Sequence, residues 1–190
     1  MKYIDPDGRE DKYVTDYGKE SSNPYVVTGK NIGGNEFYPN INIVLSISDD
    51  RNNNGAFKGT LTVYYSENVE KSGVVAVKVP IVHGNKNLSK MEPSIFHDVI
   101  QEKTSTSSNP VLSNNLHGGE DNIMIRLKGT DGVAIHQGNK KANQDYAYTE
   151  GCFSVTSLDK ETSVEKNYKS FIKAINPLGF EGAKINVIIE

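Results

Sequence analysis

From Ile41 to Ile47 every second residue is aliphatic, and that period of two is what most limits the folds open to this chain. Ile41, Ile43, Leu45 and Ile47 share one side of an extended backbone, with Asn42, Ser46 and Ser48 on the other. Side chains two apart share a face only in a strand, so a half-buried strand is expected. The polar run Asp49-Asp50-Arg51-Asn52-Asn53-Asn54-Gly55 predicts a turn. A second strand follows over 57–65, with Leu61, Val63 and Tyr65 in phase, and a third, Val-rich, from Gly73 to Val82, closed by His83-Gly84-Asn85. Consecutive strands joined by polar connections predict a mainly β, mainly antiparallel fold. Seventeen Gly, ten Tyr and no Trp agree with a β protein rich in loops.

Beyond Asn85 the period changes. Pro93 followed by Ile95, Phe96, Val99 and Ile100 predicts a short helix with Pro in its first turn. The Ser/Thr/Asn-rich stretch 103–115 reads as a loop. Ile123, Ile125 and Leu127 restore strand character, and Gly129-Thr130-Asp131-Gly132 turns the chain into Val133-Ala134-Ile135-His136. That hairpin brings His136 to the end of a strand. Phe153 and Val155 then alternate with Ser154 and Thr156. Val164, Tyr168, Phe171, Ile172 and Ile175 recur at helical spacing and form one apolar stripe. Thr162-Ser163-Val164-Glu165 has the capping-box pattern, and Asn176-Pro177-Leu178-Gly179 stops the helix. One late helix near 163–175, packed on the sheet through Val164, Tyr168, Phe171 and Ile172, is therefore expected, with Ile185, Val187 and Ile189 as a closing strand. Residues 1–38 are polar and turn-rich and read as an N-terminal extension, and 39–190 as a single domain, a division that suits a chain of 190 residues.

Net charge is −3 with a pI near 5.8. No Lys/Arg cluster offers a footprint for a phosphate backbone, so nucleic acid is not an expected partner. No apolar run approaches the roughly 20 residues a membrane span requires. The opening residues have no apolar core of a signal peptide. His117-Gly118-Gly119-Glu120-Asp121 together with His136 could be imagined as metal ligands, but no paired-His or paired-Cys spacing supports this, and neither metal nor cofactor is expected. His83, His97 and His117 read as ordinary surface or loop histidines.

The chain has one cysteine, Cys152, in the run Thr149-Glu150-Gly151-Cys152. A lone thiol forms no internal disulfide, so packing or reactivity keeps it there. Gly151 leaves the backbone beside the sulfur unencumbered, and Thr149 and Glu150 are poor core residues. His136 precedes Cys152 by 16 residues, room for one loop to fold back and bring imidazole and thiol together. A thiol is nucleophilic as its thiolate, and a neighbouring imidazole can lower its pKa from about 8.5 to roughly 3.5–7.5. Packing in a core is the alternative reading of both residues, but the neighbours of Cys152 argue for reactivity. Glu150 is either a solvated turn residue or a group that tunes His136, and Tyr146 and Tyr148 either line a groove or cover the loop.

Ile135-His136-Gln137-Gly138 and Thr149-Glu150-Gly151-Cys152-Phe153-Ser154 resemble the catalytic motifs of the L,D-transpeptidases, which cross-link or trim peptidoglycan through an active-site cysteine. The likeness is tightest over 132–156 and looser over about 40–190. It implies an antiparallel β-sandwich or barrel with one late helix. It also implies Cys152 as acyl-accepting nucleophile, His136 as its base, and an oxyanion hole from the Gly151 and Cys152 amides. Thr149 would shape the turn, and Gly138, Asn139, Glu150 and Ser154 would lie along the substrate. Three departures stand out: Gln137 between His and Gly, Glu150 in place of a second His, and Ser154 where Arg or Asn is usual. The wording is closer to small phage-, toxin- and effector-associated relatives than to housekeeping enzymes. Tyr3-Ile4-Asp5-Pro6-Asp7-Gly8-Arg9-Glu10 resembles the boundary motif that precedes the toxin domain in RHS/YD-repeat proteins. Together these imply a secreted antibacterial effector delivered to the periplasm, with peptidoglycan stem peptides as substrate, an immunity protein as partner, and no signal peptide of its own. Two other readings stay open: a non-catalytic binding or adaptor module on the same fold, and a metal-dependent hydrolase built on His117, Asp121 and His136.

Overall fold

The computed structural model describes residues 40–103, 123–158, 163–177 and 183–190, together with two short strands near the N-terminus, β1 (Lys12–Thr15) and β2 (Lys19–Ser22), which pair antiparallel. Otherwise the expected extension 1–38 and the Tyr3–Glu10 motif lie outside the described residues. β3 (Asn40–Arg51), β4 (Phe57–Ser66) and β5 (Val74–His83) form the antiparallel meander that the alternating runs predict. They are followed by β6 (Ser94–Phe96), β7 (Ile100–Lys103), β8 (Ile123–Arg126), β9 (Ala134–Gln137) and β10 (Phe153–Val155). A helix, α1 (Val164–Ile175), and β11 (Lys184–Ile189) complete the described elements. The described residues are mainly β with one helix, as expected.

Nine strands form one sheet in the order β6-β11-β3-β4-β5-β10-β9-β8-β7. Neighbours run antiparallel except β3–β11 and β9–β10, so the sheet is mixed. Its two outermost strands, β6 and β7, are consecutive in the chain and joined by His97-Asp98-Val99 alone. Three residues span only about 10 Å, so the sheet curls until its edges nearly meet. The short helix expected over 93–100 is therefore absent. Ile95 and Phe96 pair with Ile188 and Val187 of β11, and Val99 N–H donates to the Ile185 carbonyl at 2.9 Å. Asp98, with φ of 49°, makes the left-handed step that redirects the chain to the opposite edge. An apolar spacing that mimics a helical face here serves two sheet edges.

The inner face of the curl carries Ile41, Ile43, Leu45, Leu61, Val63, Val79, Ile81, Ile135, Phe153 and Val187, closed by Tyr168, Phe171 and Ile175 of α1. Ser163 is the N-cap and accepts from Lys166 N–H at 3.0 Å. With Lys166 at that position the cap is a single bond, not the reciprocal box expected from Thr162, which lies outside the described residues. Glu165 sits in the first turn, where the helix dipole favours an anion. Tyr65 spans the core to donate to the Ala174 carbonyl at 2.7 Å, and Tyr168 donates to the Ile123 carbonyl. The half-buried strand expected at 41–47 is buried on both faces. Asn42 and Asn186 are 0% and 1% exposed and meet across β3–β11, Asn186 Nδ2 donating to Asn42 Oδ1 at 3.1 Å, while Asn42 Nδ2 donates to Ser66 Oγ at 2.8 Å. Polar side chains tolerate that burial because they satisfy one another. No helix among the described residues is long and apolar enough to cross a membrane.

Candidate functional site

β9 and β10 lie side by side and parallel, with Phe153 level with Ile135 and Ser154 level with His136. Because faces alternate along a strand, Phe153 and Ile135 enter the core while His136 and Ser154 face the opposite, outer side. One residue back along both strands, Cys152 falls beside Ala134 on that outer face, and it packs against the Met124–Ala134 cluster. β8 runs antiparallel on the far side of β9 and sets Arg126 opposite Ala134. Two rows result: Arg126, Ala134, Cys152, and next to it Met124, His136, Ser154. His136 and Cys152 are thus one row and one strand apart, about 8 Å between Cα positions by strand rise and spacing.

The turn that delivers the thiol is tied to the end of β5. Thr149 N–H donates to the Gly84 carbonyl and Gly84 N–H returns to Thr149 Oγ1, each at 2.9 Å. The same hydroxyl donates to the Cys152 carbonyl at 2.6 Å and receives Gly151 N–H at 3.3 Å. Asn85 Nδ2 reaches the Thr149 carbonyl and the exposed Glu150 carboxylate. Gly151 has φ of +120°, a conformation that side-chain-bearing residues rarely adopt, which is the local reason for glycine before the cysteine. Its amide, expected to serve an oxyanion hole, faces the Thr149 hydroxyl.

Cys152 is partly exposed, and its Sγ lies 3.9 Å from the Gly132 carbonyl. Burial pushes the thiol pKa up; the Ala134 backbone and the Arg126 charge pull it down by less. The lowering expected from a neighbouring imidazole is reversed because desolvation dominates. His136 is buried, and its Nδ1 sits 2.7 Å from the Gln137 carbonyl. A carbonyl oxygen only accepts, so Nδ1 carries the proton in that contact.

Gly138 N–H donates to the Val155 carbonyl at 2.8 Å, and a Cβ at Gly138 would come within 2.6 Å of Ser154 Oγ. Ser154 is itself buried, 2% exposed, under that crossing. Asn139 is exposed and its Oδ1 accepts from Lys141 N–H at 2.9 Å. Tyr146 and Tyr148 are exposed on either side of buried Ala147. The structure thus places His136 on β9 and Ser154 on β10, with Cys152 one residue before β10 and Gly138 one residue after β9, Thr149, Glu150 and Gly151 in the adjoining turn and Asn139 beyond the end of β9. His83, expected on the surface, is 4% exposed: it ends β5 level with Phe153, and its Nδ1 lies 3.3 Å from the Cys152 carbonyl. His97 is exposed as expected, and His117 and Asp121 lie outside the described residues. Arg126 escaped the sequence reading, since its strand pattern marks it only as an outward-facing position. A separate cleft of about 250 Å³ lies where α1 ends against β7 and β11, bordered by Gln101, Ile175, Asn176 and Ile185, and none of the sequence-derived site residues lines it.

No protein-family model matches this chain, and neither does any curated protein or solved structure.

Proposed function

We propose that the protein is a cysteine-dependent acyltransferase or peptidase of the L,D-transpeptidase type, acting on peptidoglycan stem peptides as an antibacterial effector. The observation that supports this best is the placement of Cys152 and His136 on one outer face of two adjacent parallel strands, one row apart. Cys152 sulfur attacks the scissile carbonyl carbon, forming a C–S bond, and the thiol proton passes to the His136 imidazole. Collapse expels the amine, which takes that proton from the imidazolium. Water then hydrolyses the thioester, or a second amine takes the acyl group, and Cys152 is restored as thiol. With its pKa raised, the resting thiol is neutral, so proton transfer accompanies attack and no stable ion pair precedes it. The action belongs in the periplasm, where the substrate is, and a producing cell needs an immunity protein.

A non-catalytic binding module is the second reading, favoured by the raised thiol pKa and by the engagement of the Gly151 amide with Thr149. Mass analysis of muropeptides after incubation with wild type and Cys152→Ala decides between them. Trimmed or exchanged stems with wild type alone support the enzyme; identical profiles refute it.

A further inference from the structure

Tyr146 and Tyr148 are 58% and 59% exposed and flank Ala147, which is 4% exposed and packs with Ala56 and Val82. With the alanine turned inward both rings stand outward, their Cα positions at most about 7 Å apart. The backbone beneath them is fixed along its length. Asn52 Nδ2 donates to the Gln144 carbonyl at 2.7 Å and to the Ala147 carbonyl at 2.6 Å. Asn54 Nδ2 donates to the Tyr146 carbonyl, and Asn53 N–H to the Asp145 carbonyl at 3.0 Å. Gln144 Nε2 reaches the Gly59 and Ile81 carbonyls, each at 2.9 Å, and the bond from Thr149 N–H to the Gly84 carbonyl closes the far end. A surface loop tied down in this way loses little further freedom when something docks on the two rings it displays.

The chemistry around the rings selects the partner. Among the described residues, neither tyrosine hydroxyl nor the side-chain amide of exposed Asn53 has a hydrogen-bond partner. Nearby charge is already answered, Asp145 by Lys58 at 2.7 Å, while the Glu150 carboxylate accepts from Asn85 Nδ2. The 143–149 loop and the 52–54 turn under it expose no aliphatic side chain of the kind that fills the centre of a protein interface. Flat aromatic faces framed by uncharged donors and acceptors suit a sugar, whose C–H face lies on a ring while its hydroxyl and N-acetyl groups bond the phenols and amides around it. We infer that Tyr146 and Tyr148 form a stacking platform for a neutral polysaccharide bearing N-acetyl groups, the glycan strand from which stem peptides hang. Tyr148 precedes Cys152 by four residues, in the turn stapled to Gly84, so a strand lying across the platform holds its peptides beside the thiol. The choice of this glycan rests on the peptidoglycan reading, but binding to it requires no turnover.

Cosedimentation of the full chain, carrying Cys152→Ala so that no bond is cut, with intact peptidoglycan sacculi tests this. Peptide-free glycan strands and free stem peptides serve as competitors. The protein should be retained, glycan strands should displace it, and retention should survive a rise in salt to about 1 M because the ligand face is uncharged. Tyr146→Ala and Tyr148→Ala should each weaken retention about 5–10-fold, and Tyr146→Phe and Tyr148→Phe should keep most of it, since the ring and not the hydroxyl supplies the stack. Both rings are exposed, so the urea midpoint should not move with these changes, which separates lost binding from lost fold. No retention, retention undiminished when both tyrosines are alanine, or retention lost at high salt overturns the platform. Displacement by stem peptides but not by glycan strands also overturns it and makes the loop a peptide site. Glycan binding by a protein whose wild type leaves muropeptides unchanged overturns the enzyme reading alone, and stem trimming without glycan binding overturns the platform alone.

Discussion

The imidazole of His83 lies on the ring of Phe153, centroids 4.4 Å apart and planes 15° from parallel. Phe57 continues the stack at 6.3 Å, and the Arg51 guanidinium carbon closes it 3.8 Å above the Phe57 ring. The stack crosses β3, β4, β5 and β10, and His83 Nδ1 lies against the carbonyl of Cys152. The candidate site is thereby coupled to the β3–β4–β5 meander through a single buried ring.

That ring makes stability depend on pH. Burial holds the His83 imidazole below its ordinary value of 6.5, with the Cys152 and Gly151 backbones opposing by less. The unfolded chain therefore binds the proton first as pH falls. Stability from this group is complete above about 6.5 and is lost as pH drops toward the folded pKa. The urea midpoint should fall between about pH 7.5 and about 5, and His83→Phe, which keeps a ring but cannot titrate, should reduce that fall. Equal pH dependence in both proteins would refute this.

Two glycines near the thiol should fail for different reasons. At Gly151 an added Cβ meets nothing, yet φ is +120°, so Gly151→Ala should cost about 1–3 kcal/mol through backbone strain alone. At Gly138 a Cβ would press on Ser154 Oγ and the Val155 carbonyl, so Gly138→Ala should cost about 1–3 kcal/mol by prising β9 from β10. Chemical denaturation gives both values. Amide exchange separates the causes, because only Gly138→Ala should deprotect the Gly138 N–H bond to Val155.

The thiol itself offers a sharp check. With its pKa raised by burial, Cys152 should react with iodoacetamide at pH 7 more slowly than a free cysteine, and its rate should keep climbing above the ordinary thiol range. Acceleration at pH 7 would mean that His136 outweighs desolvation. Cys152→Ala should leave the fold intact, at a cost of about 1–2 kcal/mol, and should remove toxicity in the periplasm of a sensitive bacterium. His136→Ala should lower any turnover roughly 10²–10⁴-fold.

On α1, Phe171 is fully buried, so Phe171→Ala should cost about 3–5 kcal/mol. Ser163→Ala removes the one cap bond to Lys166 and should cost about 1 kcal/mol. Thermal or urea unfolding of the two variants measures the contrast.

Strands were legible in the sequence where alternation contrasts two faces, as at Ile41 to Ile47 and again at Leu61 to Tyr65, and α1 where the stripe from Val164 to Ile175 is unbroken. Ile95, Phe96, Val99 and Ile100 misled because two short strands around a left-handed Asp98 reproduce helical spacing. The parallel pairing of β9 with β10 leaves no local mark, since register between strands is decided by the partner. A histidine closing a Val-rich strand reads alike whether solvated or stacked, so His83 was misplaced. Cys152, His136 and Thr149 stood out because a lone cysteine between glycine and a short strand is chemically conspicuous. Arg126 did not, because its relation to the thiol exists only across three strands.

β11 lies between β6 and β3, parallel to β3, yet it is made more than 130 residues after β3 begins. Until those residues leave the ribosome, β3 and β6 face an unfilled slot, and the chain can hold only part of its final pairing. Such late, long-range pairing makes folding slow. It also gives the domain a direction in which it can be undone. A machine that pulls from the C-terminal side first withdraws β11, which joins the edge strand β6 to β3, whereas one that pulls from the N-terminal side meets the β3–β4–β5 meander with β11 still in place. Passage through a narrow channel would therefore demand much less force in one orientation than in the other.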